Sequence, residues 1–142
     1  AGGRRQIVNV SSTASYAPSP SMASYAASKF AVAGFCDVLR MELDGSQIGV
    51  TDVCPGVINT AITSSGAAPA MQGEQIKRLQ AYYIKEGCAP EVVANDVVQA
   101  VMTGKTLVLT GPYSRLLYHL KRISRRLLHK ITLKSAAKLG YL

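Results

Sequence analysis

The sequence predicts an α/β fold built on parallel strands, and three stretches carry that prediction. Gln6-Ile7-Val8-Asn9-Val10 is a short apolar run that ends in the polar pair Ser11-Ser12. Ile48-Gly49-Val50-Thr51-Asp52-Val53-Cys54 is a second such run, closed by Pro55-Gly56. Between them, Met22 to Leu43 is Ala-rich, with an apolar face from Phe30, Val32, Phe35, Val38, Leu39 and Leu43 at helical spacing. A strand, a long helix and a second strand in that order read as a buried parallel unit.

Each element has its own signal. Residues 1–5 form a Gly/Arg loop before the first strand. Ser11 to Ser21 is a loop rich in Ser and Pro, where Tyr16 would either line a substrate entrance or pack the loop. Asp44-Gly45-Ser46 ends the long helix, Gly being the usual C-terminal stop. Pro55-Gly56 forces a turn and permits close backbone approach. Ala61 to Gly73 is small and uncharged, with Ser64-Ser65-Gly66 as a hinge. Helices are expected around Glu74 to Lys85 and from Pro90 to Met102, the second opened by Pro-Glu. Thr106 to Thr110 is a last short strand.

The chemistry concentrates at the start of the long helix. Tyr25 and Lys29 are four apart, so they sit on one side of the helix, a turn from each other. An ammonium that close favours the phenolate over the phenol. Such a tyrosine can give a proton to a carbonyl oxygen, or take one from an alcohol, near neutral pH. A packed Tyr beside a solvated Lys has the same spacing, so the pair needs its neighbours to mean more. Ser11 and Ser12 lie past the C-terminal end of the first strand, where open α/β sheets bind ligands.

Ser12, Tyr25 thirteen positions later, Lys29, and then Pro55-Gly56-Val57-Ile58-Asn59-Thr60 resemble the short-chain dehydrogenase/reductase family. The family pattern is a serine after a strand, Tyr-x-x-x-Lys on the next helix, and Pro-Gly-x-x-x-Thr after the following strand. The resemblance covers Gln6 to about Thr60 strongly and Ala61 to Pro112 loosely. It implies the C-terminal part of a doubly wound Rossmann-like parallel sheet, here with an added C-terminal amphipathic helix. It also implies an NAD- or NADP-dependent oxidoreductase that interconverts a carbonyl and an alcohol. Tyr25 would be the general acid/base. Lys29 would tune it and hydrogen-bond the nicotinamide ribose. Ser12 would hold the substrate oxygen as charge develops there. Ser11 is the rival, but the thirteen-residue interval favours Ser12. Tyr25, Lys29, Pro55, Gly56, Ile58 and Thr60 would contact the cofactor, the backbone around Ile58 and the Thr60 hydroxyl at its carboxamide or pyrophosphate. In the family the segment after Thr60 closes over substrate. Its lack of charge here favours a small, neutral, lipophilic carbonyl or alcohol. The apolar face of the long helix suits a homo-oligomer. Asp52 to Thr60 is also similar to the reductase half of actinobacterial hydrolase–reductase fusions.

The family fold begins with a strand, a Gly-rich turn and a helix that receives the dinucleotide pyrophosphate. No Gly-x-x-x-Gly-x-Gly follows a strand in these residues. The expectation is therefore that residues 1–112 are the C-terminal half of a reductase domain from a longer parent, inactive alone.

Residues 113–142 read as a second unit. They contain Arg115, Lys121, Arg122, Arg125, Arg126, Lys130, Lys134 and Lys138 and no acidic residue, whereas the charges of residues 1–112 cancel. The chain's net charge of +8 belongs to this tail. One helix from Ser114 to about Lys134 would put Leu116, Leu120, Ile123, Leu127 and Ile131 on one face and most of the basic residues on the other. A basic amphipathic helix suits an anionic membrane surface or a protein partner. The competing reading of the chain is thus a catalytically inactive fragment that binds through this helix. Packing of the leucines on the chain's own core is the structural alternative. Charge alone would suit nucleic acid, but no aromatic platform or recognition motif accompanies it.

Composition removes several classes of chemistry. Cys36, Cys54 and Cys88 have neither metal nor redox spacing and read as buried free thiols of a reducing, cytoplasmic compartment. His119 and His129 are the only histidines, so a His-based triad or zinc site is not expected, and no metal is. No apolar run reaches the length of a membrane-spanning helix.

Overall fold

The computed structural model describes residues 5–63 and 73–139. Residues 1–4 of the loop expected at residues 1–5, and the hinge Ser64-Ser65-Gly66, lie outside the described residues, while Arg5 already belongs to the first strand. Three parallel strands, β1 (Arg5–Val10), β2 (Ile48–Pro55) and β3 (Leu107–Thr110), form one sheet in that order. Val10 pairs with Val53 and Pro55 with Thr110, so the three strands end on the same side. Parallel neighbours need a long crossover. The first is α1 (Ala23–Glu42), and the second runs through α2 (Glu74–Glu86) and α3 (Pro90–Thr103). Two further helices, α4 (Ser114–Ile123) and α5 (Arg125–Leu139), follow β3. The fold is the expected α/β arrangement, with helices on both faces of an open sheet.

Side-chain alternation along β2 divides the core. Val53 points to one face and joins Ala100, Val108, Val8, Val93 and Val97 beneath α3. Cys54 points to the other and joins Tyr16, Leu107, Leu109, Leu117 and Leu128 beneath α4 and α5. Arg40, in the last turn of α1, ties the layers together. Its guanidinium group donates to Val50 O (3.2 Å) and Thr106 O (2.6 Å) and pairs with Asp37. Gly45, at φ +77°, takes the left-handed turn after α1 that the sequence asks of it.

Two expectations need correction. The first strand is parallel but not buried. It is an edge among the described residues, bonded only to β2, and Ile7 and Val10 are exposed. The single tail helix is in fact two. Ser124 sits at φ −154°, ψ 108°, outside the helical region, and its Oγ accepts the Leu127 N–H at 3.2 Å. A serine offered that local bond stops one helix and caps the next. The break changes which residues face inward. Of the expected leucine stripe, Leu120 packs on the core, while Leu116, Ile123, Leu127 and Ile131 are exposed. Leu117 and Leu128 pack inward instead, Leu128 almost completely.

These two apolar sets respond differently to truncation. Leu128→Ala is expected to cost roughly 2–5 kcal/mol, as for other buried leucines. Ile123→Ala, 81 % exposed, should stay within about 0.5 kcal/mol of the parent. Urea unfolding midpoints of the two variants check the assignment, and equal losses would reject it.

Candidate active site

The site gathers at the C-terminal ends of β1 and β2. The β1–β2 ladder runs one residue beyond β1, Ser11 N–H donating to Val53 O at 2.8 Å. That register turns the Ser11 side chain into the sheet's underside, where it is buried. Its Oγ donates to Asp52 Oδ1 at 2.5 Å and lies 3.1 Å from Cys54 Sγ. Ser12, one residue on, points the other way and stays partly open. Its Oγ accepts the Ala14 N–H at 3.1 Å and opens a 3-10 turn, Thr13–Ser15. Accepting that bond leaves the hydroxyl proton to donate. Of the two serines, only Ser12 is placed to meet a ligand.

The turn after Ser12 packs against α1. Tyr25 and Lys29 lie in the first turns of that helix, both half-buried. Lys29 Nζ donates to Val10 O at 3.1 Å and sits 5.7 Å from the centre of the Tyr25 ring. The strand's last carbonyl thus holds the ammonium beside the phenol. The expected neighbours are neighbours in space.

Pro55 to Thr60 leads away from the end of β2. Cys88 N–H donates to Val57 O (3.1 Å) and Asn59 N–H to Cys88 O (2.9 Å), a short parallel bridge. In such a bridge the intervening residue turns its own amide groups away, so Ile58 N–H and C=O face away from Cys88. Thr60 is exposed, and its Oγ1 accepts the Ile62 N–H at 3.5 Å. Gly56 also permits a close approach within the chain. A Cβ there would strike the Pro112 carbonyl, so the chain itself occupies that space.

Two tyrosines change the expected picture. Tyr16 packs in the core rather than lining an entrance, donating its phenol to Ser114 O at 2.9 Å. Burial raises its pKa, with Cys54 and Asp52 adding to the effect. Tyr83 on α2 was not anticipated. Burial raises the pKa of its phenol, and Tyr25 is close enough to raise it further. The end of α2 reaches the site because Gly87 lets the Tyr83 carbonyl, Ile58 and Asn59 crowd together. A Tyr82-Tyr83 pair on a short helix carried no signal of that contact.

Cys36 and Cys54 are buried free thiols as expected, but Cys88 is only half-buried. Burial, assisted by Asp52, pushes the Cys54 thiol up to about 12 despite its bond with Ser11. Among the described residues no group of His, Cys, Asp and Glu could hold a metal. No described helix is long and apolar enough to cross a membrane.

With this geometry in view, comparison with known proteins gives the family. Residues 1–70 match the short chain dehydrogenase family. The chain is 38 % identical over 123 residues to "Probable oxidoreductase EphD" of Mycobacterium tuberculosis, covering 82 % of this chain and 21 % of that protein. It is 30 % identical over 136 residues to "Dehydrogenase/reductase SDR family protein 7-like" of Anopheles gambiae, covering 95 % of this chain and 42 % of that protein. A short chain dehydrogenase/reductase from Burkholderia phymatum, crystallised with NAD, superposes with a TM-score of 0.64 at 25 % identity, over 83 % of this chain and 48 % of that one. The chain belongs to the short-chain dehydrogenase/reductase family. It spans half or less of each of these relatives.

The thiols test the site's electrostatics. At pH 8 a thiol near 12 is ionised on the order of once in 10⁴ molecules, and only the thiolate reacts. Iodoacetamide should therefore alkylate Cys88 well before Cys54 or Cys36. Peptide mass spectrometry over time reads the order, and early labelling of Cys54 would contradict its burial beside Asp52.

Proposed function

We propose that this chain supplies the catalytic half of an NAD- or NADP-dependent oxidoreductase that interconverts a carbonyl and an alcohol. The observation that carries the reading is the Tyr25–Lys29 pair, its ammonium held at Val10 O, opening beside Ser12 at the strand ends. When bound, the nicotinamide supplies or accepts the hydride. The chain's residues handle the proton and the oxygen. Tyr25 gives its phenolic proton to the carbonyl oxygen in reduction and takes it back in oxidation. Lys29 keeps the resulting phenolate stable and offers its remaining N–H bonds to a ribose. Ser12 donates to the same substrate oxygen and stabilises the charge that grows there.

The residues present fit a nicotinamide cofactor. The outward amide groups of Ile58 match a carboxamide, and the exposed Thr60 hydroxyl stands beside them. Pro55 and Gly56 set the turn that leads into this segment. We assign Ser12, Tyr25 and Lys29 the catalytic roles and Tyr25, Lys29, Pro55, Gly56, Ile58 and Thr60 the cofactor contacts. Ile62, exposed just beyond Thr60, supports a lipophilic substrate. Phe35, Val38 and Met41, exposed along α1, support a homo-oligomer through that helix. That the chain covers 21 % of EphD supports a longer parent. The 142 residues alone are then expected to bind NAD or NADP weakly and to be inactive.

In the parent enzyme, Tyr25→Phe should lower kcat by roughly 10²–10⁴-fold while cofactor affinity stays nearly unchanged. Lys29→Met should weaken both. Steady-state kinetics with cofactor titration separate these patterns. Near-native turnover in Tyr25→Phe would end the assignment.

A second activity, membrane association, rests on a separate observation. The α4–α5 corner exposes Leu116, Ile123, Leu127 and Ile131 among basic residues with no acidic neighbour in the tail. Each basic residue near an anionic surface contributes on the order of 1 kcal/mol, which salt screens. Flotation with anionic vesicles should recover the protein at low salt and release it at high salt. The double change Ile123→Asp with Leu127→Asp should abolish recovery without unfolding the chain. A protein that stays soluble at low salt rejects this activity.

A further inference from the structure

A cavity lies on the sheet face shared by α1, α4 and α5. Its volume is about 660 Å³, within the range of small-molecule sites. Its floor is Asp52, Cys54 and Leu107, and four cations line it: Arg40 from α1, and Lys121, Arg122 and Arg125 from the α4–α5 corner. None of the residues given a catalytic or cofactor role lines it.

The balance of charge is the informative feature. Arg40 is committed, its guanidinium shared among Asp37, Val50 O and Thr106 O. Asp52 is buried at the floor and already accepts the Ser11 hydroxyl. Among the described residues the ion pairs are Arg40–Asp37 and Lys85–Glu86, so Lys121, Arg122 and Arg125 have no carboxylate partner. Arg122 is held by its own helix, stacked 3.6 Å from the Tyr118 ring centre and bonded to the Tyr118 hydroxyl. Lys121 Nζ is held 4.6 Å over the Phe30 ring. Three cations therefore line one cavity, two of them, Lys121 and Arg122, held by aromatic rings rather than by acids.

We propose that this cavity is an anion site for a phosphate group, with Lys121 and Arg125 as its principal ligands. Burial lowers the Lys121 pKa, and Arg125 and then Arg122 lower it further, so like charges stand close to this ammonium. A bound dianion relieves that repulsion. Arg122 adds a further donor group along the wall. The phosphate belongs either to a soluble ligand or to a lipid headgroup, and the two sources separate experimentally.

Calorimetric titration of the full chain with pyrophosphate is the direct test. One site is expected, and Lys121→Gln or Arg125→Gln should each weaken it roughly tenfold, as loss of a charge-assisted bond does. Arg126→Gln removes the same charge away from the cavity and should change affinity less than about twofold. Lys121→Arg should keep most of the binding. Lys121→Gln relieves repulsion, so its Tm should equal or exceed the parent's, which separates lost binding from lost folding. Vesicles of phosphatidic acid and of phosphatidylglycerol, matched in charge, identify the source. A preference for phosphatidic acid that Lys121→Gln abolishes assigns the site to a headgroup. Pyrophosphate binding without that preference assigns it to a soluble phosphate ligand. No binding of pyrophosphate at millimolar concentration overturns the proposal. So does an equal loss in Arg126→Gln and Lys121→Gln, which would mean diffuse attraction to a basic tail.

Discussion

Parallel pairing of β1 with β2 is the constraint on which the rest of the structure depends. Two parallel neighbours cannot be joined by a tight turn, so the chain must cross the sheet and return. It does so through α1, which has to begin near the end of β1 and finish near the start of β2. The first turns of α1 are thereby delivered to the strand ends, and Tyr25 and Lys29 with them. Lys29 then closes the arrangement by donating to Val10 O, the last carbonyl of the strand. At the far end, Arg40 bonds to Val50 O and Thr106 O and fixes the helix axis. The site geometry is a by-product of how a parallel pair must be connected.

The same pairing resolves the two serines. Side chains along a strand alternate between faces, and Ser11 continues the ladder with its N–H on Val53 O. It must therefore point beneath the sheet, where Asp52 and Cys54 take its hydroxyl. Ser12 falls on the open side for the same reason. Spacing to Tyr25 favours Ser12 in the sequence, and in the structure Ser12 is the more open of the two. Burial, with the Asp52 carboxyl adding to it, holds the Cys54 thiol protonated despite the Ser11 bond.

Legibility followed the range of the interactions involved. The strands, α1, the Pro-Gly turn and the Pro90 helix start were readable because local periodicity, Gly45 and Pro90 set them. Helix α2 was readable too, but not its reach, since Tyr83 comes near enough to feel Tyr25 only through the fold. The tail was half readable. Its apolar and basic composition was plain, yet the phase of the helix changes at Ser124, where a local hydrogen bond competes with the helical one. That single residue exchanged the inward stripe for Leu117, Leu120 and Leu128 and turned Ile123 to solvent. The exposure of β1 was unreadable for another reason. An apolar run looks the same whether or not a neighbour covers its edge.

The first turn of α4 touches two loops that border the candidate site. Ser114 O receives the hydroxyl of Tyr16, four residues past Ser12, and the Pro112 carbonyl fills the space that Gly56 leaves open. Both contacts are close-packed, and packed contacts shift together rather than stretch. The tail and the serine loop are in this sense mechanically geared. Any ligand that draws α4 outward moves Tyr16 and frees Gly56.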